Sequence, residues 1–377
     1  MAVDSQVGAP DSGPGLSRAL VVLLGTAAAV VIGAGLKGAQ GIVTPIMLSL
    51  VLTIAVGPIP RWARRKGWPG WAATLLGMIA AYLLVLVLAG GVAISAVQLA
   101  STLPEYAQKA QDMVHQLSQQ LDQAGLSTSG TQKALSQIDF GKVLGLVGDL
   151  LSGVLGAASN LFFLVTLLFF LAFESTAMPA RGELLRKVRP ELADALTRFI
   201  NGTQSYLIVT TVFGLIVATL DTLALWALGV PLPLVWGLLS FLTNFIPNIG
   251  FIIGLIPPAL LGLLSGGWGT FFAVIAVYCV INVVLQTFIQ PRFVGDAVGF
   301  STTMTFLSMV LWTFLLGPVG ALLAVPMSLL VRAFLIDADP KVAWAEMFIG
   351  PTPSDQPADP ATPPASPPTP PQEPAPA

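Results

Sequence analysis

The sequence predicts an all-α integral membrane protein with about eight membrane segments. Hydrophobic residues make up 55% of the 377 residues and charged residues only 10%, whereas soluble domains carry about a quarter charged residues. Apolar runs long enough for a membrane helix recur along the chain, and two of them are interrupted by proline and glycine. The formal net charge of -2 lacks the basic excess typical of nucleic-acid partners, so none is expected.

The composition divides the chain into three parts. Residues 1–17, rich in Gly, Pro, Ser and Ala, are predicted to form a disordered lead. Residues 18–335 hold the apolar runs and form the predicted transmembrane domain. Residues 336–377 follow as a tail, which is Pro-rich and predicted to be disordered from about residue 350.

Two clusters of basic residues predict the orientation in the membrane. The first follows the spans predicted at residues 18–35 and 41–57 and precedes a third at 71–97; it contains Arg61, Arg64, Arg65 and Lys66. The second separates the spans predicted at residues 153–173 and 206–228; it contains Arg181, Arg186, Lys187, Arg189 and Arg198. Because positively charged loops stay in the cytoplasm, we expect both clusters and both termini on that side.

Residues 98–149 form a polar insertion that this topology places outside the cell membrane. Thr102, Pro104 and Glu105 predict a helix start, with Thr102 as N-cap and Glu105 as capping-box partner. Apolar residues then recur at steps of three and four: Leu103, Tyr106, Ala110, Met113, Leu117 and Leu121. This stripe would contact another subunit, the membrane surface, or the protein's own transmembrane bundle.

The first interrupted run, residues 233–264, contains the sequence NFIPNIGFIIGLIPP from Asn244 to Pro258. An unbroken helix of that length would exceed the roughly 30 Å hydrocarbon layer. We therefore expect a break at residues 246–250, with Pro247 and Gly250 as hinges. Transporters place substrate sites at such breaks, because the freed backbone must face protein or a watery cavity. The alternative is a proline-kinked span whose Asn244 bonds a neighbouring helix.

The second interrupted run, residues 304–335, repeats the pattern of the first. Paired interruptions are the best sequence pointer to a transporter binding site. The sequence leaves open whether the two runs cross the membrane or re-enter it. If they cross, the polar loop at residues 291–303 lies outside; if both re-enter, it lies inside. The predicted hinges of the first run are Pro247, Gly250 and Pro257, and those of the second are Gly317, Pro318 and Pro326, with Gly320 corresponding to Gly250.

Amide side chains are the candidate lining of a substrate path. Asn282, Gln286 and Gln290 recur every four residues in the apolar run 270–290 and so share one helical face. Asn244 and Asn248 flank Pro247 at the first break. The alternative role for such amides is hydrogen bonding between adjacent helices.

Two acidic residues are candidates for ion coupling. Asp221 lies near the middle of the predicted fifth span, where a carboxylate is costly and faces a cavity or a partner, and Glu174 ends the fourth span. The alternative for Asp221 is a hydrogen-bonded structural carboxyl near the outer interface. With His115 and Cys279 as the single histidine and cysteine, we expect no metal site, no catalytic residues and no cofactor.

Three motifs resemble the autoinducer-2 exporter family of bacterial membrane proteins, the PerM-like permeases. They are Asn244, Pro247, Gly250, Gly254 and Pro257; then Gln290, Pro291 and Gly295; then Gly317, Gly320 and residues 324–326. The resemblance implies a polytopic inner-membrane transporter of about eight segments. Some members of that family export a small polar signalling molecule, and others are proposed to exchange cations for protons.

The favoured function is a secondary transporter that exports a small polar solute, such as an autoinducer-2-like molecule, through the broken segments. The alternative is a sodium or other cation/proton antiporter of the same fold. A membrane enzyme is not favoured, because the sequence lacks a set of catalytic side chains. A scaffold is not favoured either, because it would have no use for the breaks. The expected partners are the lipid bilayer and the solute or ion, and the resemblance leaves a homo-oligomer open.

Overall fold

The computed structural model describes residues 17–123, 161–247, 249–290, 299–339 and 342, and within these ranges all regular structure is helical. The prediction of an all-α protein is therefore confirmed. Eleven α-helices are described, together with two π-helical segments, Val283–Ile289 and Ala333–Asp337. The helices are α1 (Arg18–Gly38), α2 (Gln40–Val56), α3 (Pro58–Arg65), α4 (Gly70–Gln123), α5 (Leu161–Glu174), α6 (Met178–Val188), α7 (Pro190–Ala227), α8 (Pro233–Thr243), α9 (Gly250–Asn282), α10 (Thr302–Leu316) and α11 (Pro318–Arg332).

Among the described residues, five stretches are long and apolar enough to cross a membrane, and a sixth results if α5 and α6, bent by 63° at their junction, count as one span. The count of about eight segments stays a prediction. The five are Gln40–Arg65, Gly70–Thr102, Pro190–Ala227, Gly250–Gln286 and Pro318–Asp337. Most of the predicted lead, most of the tail, residues 124–160 and the first part of the predicted loop, residues 291–298, lie outside the described residues.

Proline and serine account for several helix starts. Proline occupies the first turn of α3, α6, α7, α8 and α11, where its missing N–H costs no intrahelical hydrogen bond. The Ser301 side chain accepts a hydrogen bond from the Met304 amide at 3.2 Å and so caps α10. Local chemistry therefore fixes where the short helices of the second half begin.

The helix start predicted at Thr102 is wrong, because α4 runs without interruption through it. The Thr102 hydroxyl bonds the Gln98 carbonyl oxygen at 2.8 Å, one turn back, and does not cap a new helix. Pro104 lies inside the helix. Leu99 and Tyr106 pack against a core cluster formed by α7, α8 and α9, so near Tyr106 the apolar stripe contacts the protein's own bundle.

α7 and α8 form an antiparallel hairpin. The chain reverses between Gly229 (φ 69°) and Leu232 (φ 58°), and a side chain at Gly237 of α8 would overlap the Thr222 hydroxyl and lie 3.0 Å from the Ala218 carbonyl oxygen of α7. The absence of a side chain at Gly237 therefore lets the two helix backbones approach closely.

Gly237→Ala is expected to destabilise the fold by about 2 kcal/mol, because the added methyl group overpacks this contact. Thr222→Ala removes the hydroxyl that the methyl group meets, so the double variant should recover part of the lost stability. Thermal unfolding in detergent of the two single variants and the double variant measures the coupling. Additive effects of the two substitutions would contradict this packing.

The first interrupted run is a helical hairpin formed by α8 and the first half of α9. A Cβ at Gly254 would lie 3.1 Å from the Thr243 hydroxyl and 3.7 Å from the Ser240 Cα, whereas an unbroken helix would separate residues 240 and 254 by about 21 Å. The chain reverses in the turn at residues 244–249. α8 has 11 residues, about 16 Å of helix, so this arm is too short to cross the membrane alone.

A second reversal divides α9 at Gly267, whose φ of 74° and ψ of -167° are not helical. A Cβ at Gly262 would lie 3.3 Å from Val274, although an unbroken helix would place these residues about 18 Å apart. The stretch Gly250–Gln286 therefore consists of two antiparallel arms joined at Gly267. α8 and the two arms of α9 are thus three consecutive arms, each antiparallel to the one before it.

The second interrupted run is also a hairpin, formed by α10 and α11. Its turn is Gly317, with φ 71° and ψ -159°, close to the conformation of Gly267. The Ser308 hydroxyl of α10 bonds the Ala324 carbonyl oxygen of α11 at 3.1 Å, and the Trp312 indole donates to the Ser328 hydroxyl at 3.0 Å. The two arms are therefore in contact along their length.

The ends of the second hairpin lie on the same side as the second basic cluster. Arg332 Nη1 donates to the Gly299 carbonyl oxygen at 3.1 Å, which brings the entry and exit of the hairpin together. Arg198 of α7 lies 3.7 Å from the Asp337 carboxylate. In both interrupted runs the two arms therefore turn back on each other, and Gly299 lies at the same end of the bundle as Arg198.

Candidate functional site

A small polar cavity lies between α7, the first hairpin and the second arm of α9. It measures about 10 Å³, close to the space that one water molecule needs. A solute larger than water therefore requires the surrounding helices to separate. The lining residues are Val217, Asp221, Ser240, Thr243, Asn244, Phe251, Gly254, Tyr278, Asn282 and Gln286.

Three amide side chains form a connected network at one end of the cavity. The Gln286 side-chain amide donates to Asn244 Oδ1 at 3.1 Å and to Asn282 Oδ1 at 2.7 Å. Asn244 in turn donates to the Thr210 carbonyl oxygen of α7 at 3.0 Å. Asn282 is buried and donates to the Tyr278 carbonyl oxygen at 2.9 Å. The network links the turn of the first hairpin to α7 and to the end of α9.

Gln290 does not line the cavity, although its spacing predicts the same face as Gln286. The reason is the π-helical segment Val283–Ile289. Hydrogen bonds to the fifth residue along the chain widen the helix, so each step of four residues falls short of a full turn. Gln286, inside the segment, still lines the cavity, whereas Gln290, after its end, does not. The backbone N–H of Gln290 donates to the Leu285 carbonyl oxygen at 2.7 Å and closes this segment.

Asp221 is the one carboxyl group on the cavity wall. Its side chain is 0% exposed, and among the described residues neither carboxyl oxygen has a hydrogen-bond partner within the usual distance. Ser240 and Tyr278 line the cavity beside it, and their hydroxyl groups are 3.5 Å apart. An ionised carboxylate in such a place is strongly unfavourable, so the group requires a proton or a cation.

The predicted hinges of the first run take different places. Pro247 lies in the turn and its carbonyl oxygen accepts a hydrogen bond from the Ile249 amide at 2.7 Å. Gly250 begins α9, where an added Cβ would overlap the Thr243 carbonyl oxygen. α9 continues through Pro257, so Pro257 is not a break; the interruption further along is at Gly267. Asn248 lies outside the described residues.

The predicted residues of the second run lie in the α10–α11 hairpin and do not line the cavity. Gly317 forms the turn and Pro318 begins α11. A Cβ at Gly320 would overlap the Trp312 carbonyl oxygen, so Gly320 has the packing role that Gly250 has in the first hairpin. Pro326 is buried inside α11, which continues through it, and is not a break.

Glu174 is exposed at the end of α5 and pairs with Arg181 of α6. It takes no part in the cavity. In the described ranges no group of three or more His, Cys, Asp and Glu side chains is placed to hold a metal ion.

Three polar lining residues were not predicted from the sequence: Ser240, Thr243 and Tyr278. Ser240 lies one helical turn before the predicted Asn244 and three residues before Thr243, and this spacing could have identified both. Tyr278 lies one turn before Asn282 on the same arm of α9 and could have been identified in the same way.

The comparison with known families decides which class of protein has this architecture. The model of the AI-2E transporter family matches residues 20–338, which is most of the chain. The chain belongs to the AI-2E transporter family. The AI-2 transport protein TqsA of Escherichia coli is 32% identical over 318 residues, which cover 84% of this chain and 91% of the relative. The putative transport protein YhhT of Escherichia coli is 30% identical over 315 residues, with 83% and 90% covered.

A putative transport protein of Haemophilus influenzae is similar over a still longer range. It is 31% identical over 333 residues, which cover 87% of this chain and 95% of the relative. As a member of the AI-2E transporter family, this protein is a multi-pass membrane transport protein and not an enzyme.

Proposed function

We propose that this AI-2E protein is a secondary transporter that exports a small polar solute of the autoinducer-2 type. The polar cavity beside the turn of the first hairpin carries the proposal. Asn244, Asn282 and Gln286 offer amide donors and acceptors within otherwise apolar helices. The relative TqsA is named an AI-2 transport protein, and this name supplies the solute class.

The mechanism follows from the size of the cavity. With room for about one water molecule, the described conformation is closed to solute. The amide groups satisfy one another in this state, and a polar solute would replace those bonds with its own. Binding therefore requires the first hairpin to move away from the second arm of α9, which separates Asn244 from Gln286. The glycine turn at Gly267 joins the two parts of α9 and supplies a backbone joint between them.

We further propose that the protein lies in the bacterial inner membrane with both termini in the cytoplasm. The basic residues around α3 and α6 follow the rule that positive loops stay inside. The Arg198–Asp337 ion pair places the end of α11 with the second basic cluster. The loop that starts at Pro291 would then be cytoplasmic.

The test is efflux of autoinducer-2 from loaded, sealed proteoliposomes. The proposal predicts solute release that depends on the protein and is lost in the Asn244→Leu variant. Equal release from wild-type protein and from empty liposomes, with the protein shown to be folded, would overturn the solute class.

A cation/proton antiporter is the second candidate, and the unpartnered Asp221 carboxyl group is the observation that favours it. A proton or a sodium ion would neutralise this group as α8 packs against α7. Neutralisation would then couple the ion to closure of the hairpin.

Asp221→Asn separates the two candidates because it keeps the shape of the side chain and removes the titratable group. Antiport predicts at least about a tenfold loss of sodium-dependent proton release from proteoliposomes, equivalent to about 1.4 kcal/mol. Solute export predicts no sodium-dependent proton release in the wild-type protein. Retained sodium-dependent proton release in Asp221→Asn would remove Asp221 from any coupling role.

A further inference from the structure

The corner between α3 and α4 combines positive charge with exposed aromatic side chains. We call it the basic corner: Arg64, Arg65 and Lys66 with Trp62, Trp68 and Trp71. The exposed fractions of the three tryptophans are 56%, 48% and 72%, and all three basic residues are exposed. The sequence contains no Asp or Glu between Asp11 and Glu105. The basic corner therefore has no acidic neighbour along the chain.

The basic corner also has no acidic partner in space within the described ranges. None of the ion pairs there includes Arg64, Arg65 or Lys66. In the second basic cluster, by contrast, three arginines pair with acidic residues: Arg181 with Glu174, Arg186 with Asp194 and Arg198 with Asp337. The positive charge of the second cluster is thus largely compensated by the protein itself, and that of the basic corner is not.

Arg61, next to the basic corner, makes hydrogen bonds within the protein. Its Nη2 donates to Gln204 Oε1 of α7 at 2.6 Å, and its Nε donates to the Gly57 carbonyl oxygen at 3.1 Å. Gln204 in turn donates to the Ile54 carbonyl oxygen at 2.9 Å. Arg61 therefore ties α3 to α7 and serves as an internal comparison for the residues of the basic corner.

The backbone holds the basic corner in a fixed shape. The Trp68 amide bonds the Ala63 carbonyl oxygen and the Lys66 amide bonds the Trp62 carbonyl oxygen, both at 3.1 Å. Gly67 between them has a φ of 86°, which favours glycine. Ala63 and Ala73 are 0% exposed at the contact between α3 and α4. The backbone positions that carry the basic and aromatic side chains are therefore set before any ligand binds.

We propose that the basic corner binds the headgroup of an anionic phospholipid. Arg64 and Arg65 supply guanidinium groups suited to a phosphate, and Lys66 adds a third positive charge. The corner joins two helices of membrane length, Gln40–Arg65 and Gly70–Thr102, and so lies at the depth of the headgroups. Tryptophan is enriched at that depth, and clusters of basic residues beside membrane helices attract anionic lipids.

Native mass spectrometry of the full chain, released from vesicles of equal phosphatidylglycerol and phosphatidylcholine, tests the site. The wild-type protein should retain phosphatidylglycerol over phosphatidylcholine by at least about tenfold. Arg64→Gln, Arg65→Gln, Lys66→Gln should reduce this ratio towards one. Arg186→Gln, Lys187→Gln, Arg189→Gln removes equal charge from the second cluster and should leave the ratio unchanged.

Equal loss of the ratio in both triple variants would overturn the proposal, as would full retention in the first. Brominated lipids give a second test that needs no charge variant. Tryptophan fluorescence of the wild-type protein should be quenched more by brominated phosphatidylglycerol than by brominated phosphatidylcholine. That difference should be lost in Trp62→Phe, Trp68→Phe, Trp71→Phe; equal quenching by the two lipids in the wild-type protein would contradict the site.

Discussion

Gly250→Ala is expected to destabilise the protein by about 3 kcal/mol and to abolish transport, although it adds a single methyl group. The ideal Cβ position at Gly250 overlaps the Thr243 carbonyl oxygen and lies 2.7 Å from the carbonyl carbon. Backbone atoms cannot move aside as a flexible side chain can. The substitution must therefore push α9 away from α8 and open the turn that holds Asn244.

Gly269→Ala is the matched control. Gly269 lies in the second arm of α9, and a Cβ there would meet no atom within 4 Å. Because alanine favours helix more than glycine by roughly 1 kcal/mol, this variant should be as stable as the wild-type protein or slightly more stable. Thermal unfolding and solute efflux would be measured for both variants. Equal stability of Gly250→Ala and Gly269→Ala would contradict the described hairpin.

Asn244→Leu is expected to reduce solute efflux by at least about tenfold and to cost about 1–3 kcal/mol of stability. The leucine side chain has a similar size but leaves the Thr210 carbonyl oxygen and the Gln286 amide without the bonds that Asn244 provides. The amide end of the cavity would lose one of its three polar side chains. Efflux from proteoliposomes and unfolding in detergent measure the two effects separately.

Asn201→Leu controls for the change from amide to aliphatic side chain. Asn201 lies on α7 as Thr210 does, but it is exposed. Its replacement should leave both stability and efflux close to the wild-type values. An Asn244→Leu variant that exports solute at the wild-type rate would exclude the amide network from the transport path.

Much of the fold is predictable because hydropathy and glycine or proline placement act locally. The apolar runs around Pro247 and Gly317 are longer than one span needs and predict interruptions, and both interruptions are turns of hairpins. Whether such runs cross or re-enter depends on packing between distant residues, such as Gly254 against Ser240. That packing has no local signal. The hinge predicted at Pro257 is not a break, and the chain reverses instead at Gly267, whose φ of 74° favours glycine.

The candidate site is predictable in part from helical spacing. Asn282 and Gln286, four residues apart, both line the cavity, whereas Gln290, at the end of the π-helical segment that contains Gln286, does not. Asp221 stands out because a carboxyl group is rare in an apolar run. Tyr278 and Ser240 have no such contrast with their neighbours; their spacing places them on the faces of Asn282 and Asn244, but their position beside Asp221 depends on the hairpin packing.

Labelling of a cysteine in the cavity tests the central claim most directly. Thr243→Cys in a Cys279→Ser background places a single thiol on the cavity wall, and Leu260→Cys in the same background places one on an exposed apolar surface of α9. A polar, membrane-impermeant thiol reagent should label Thr243→Cys during transport and stop autoinducer-2 efflux, while Leu260→Cys should continue to export. Labelling of Thr243→Cys without any loss of efflux, or no labelling in a folded and transporting protein, would contradict a solute path through this cavity.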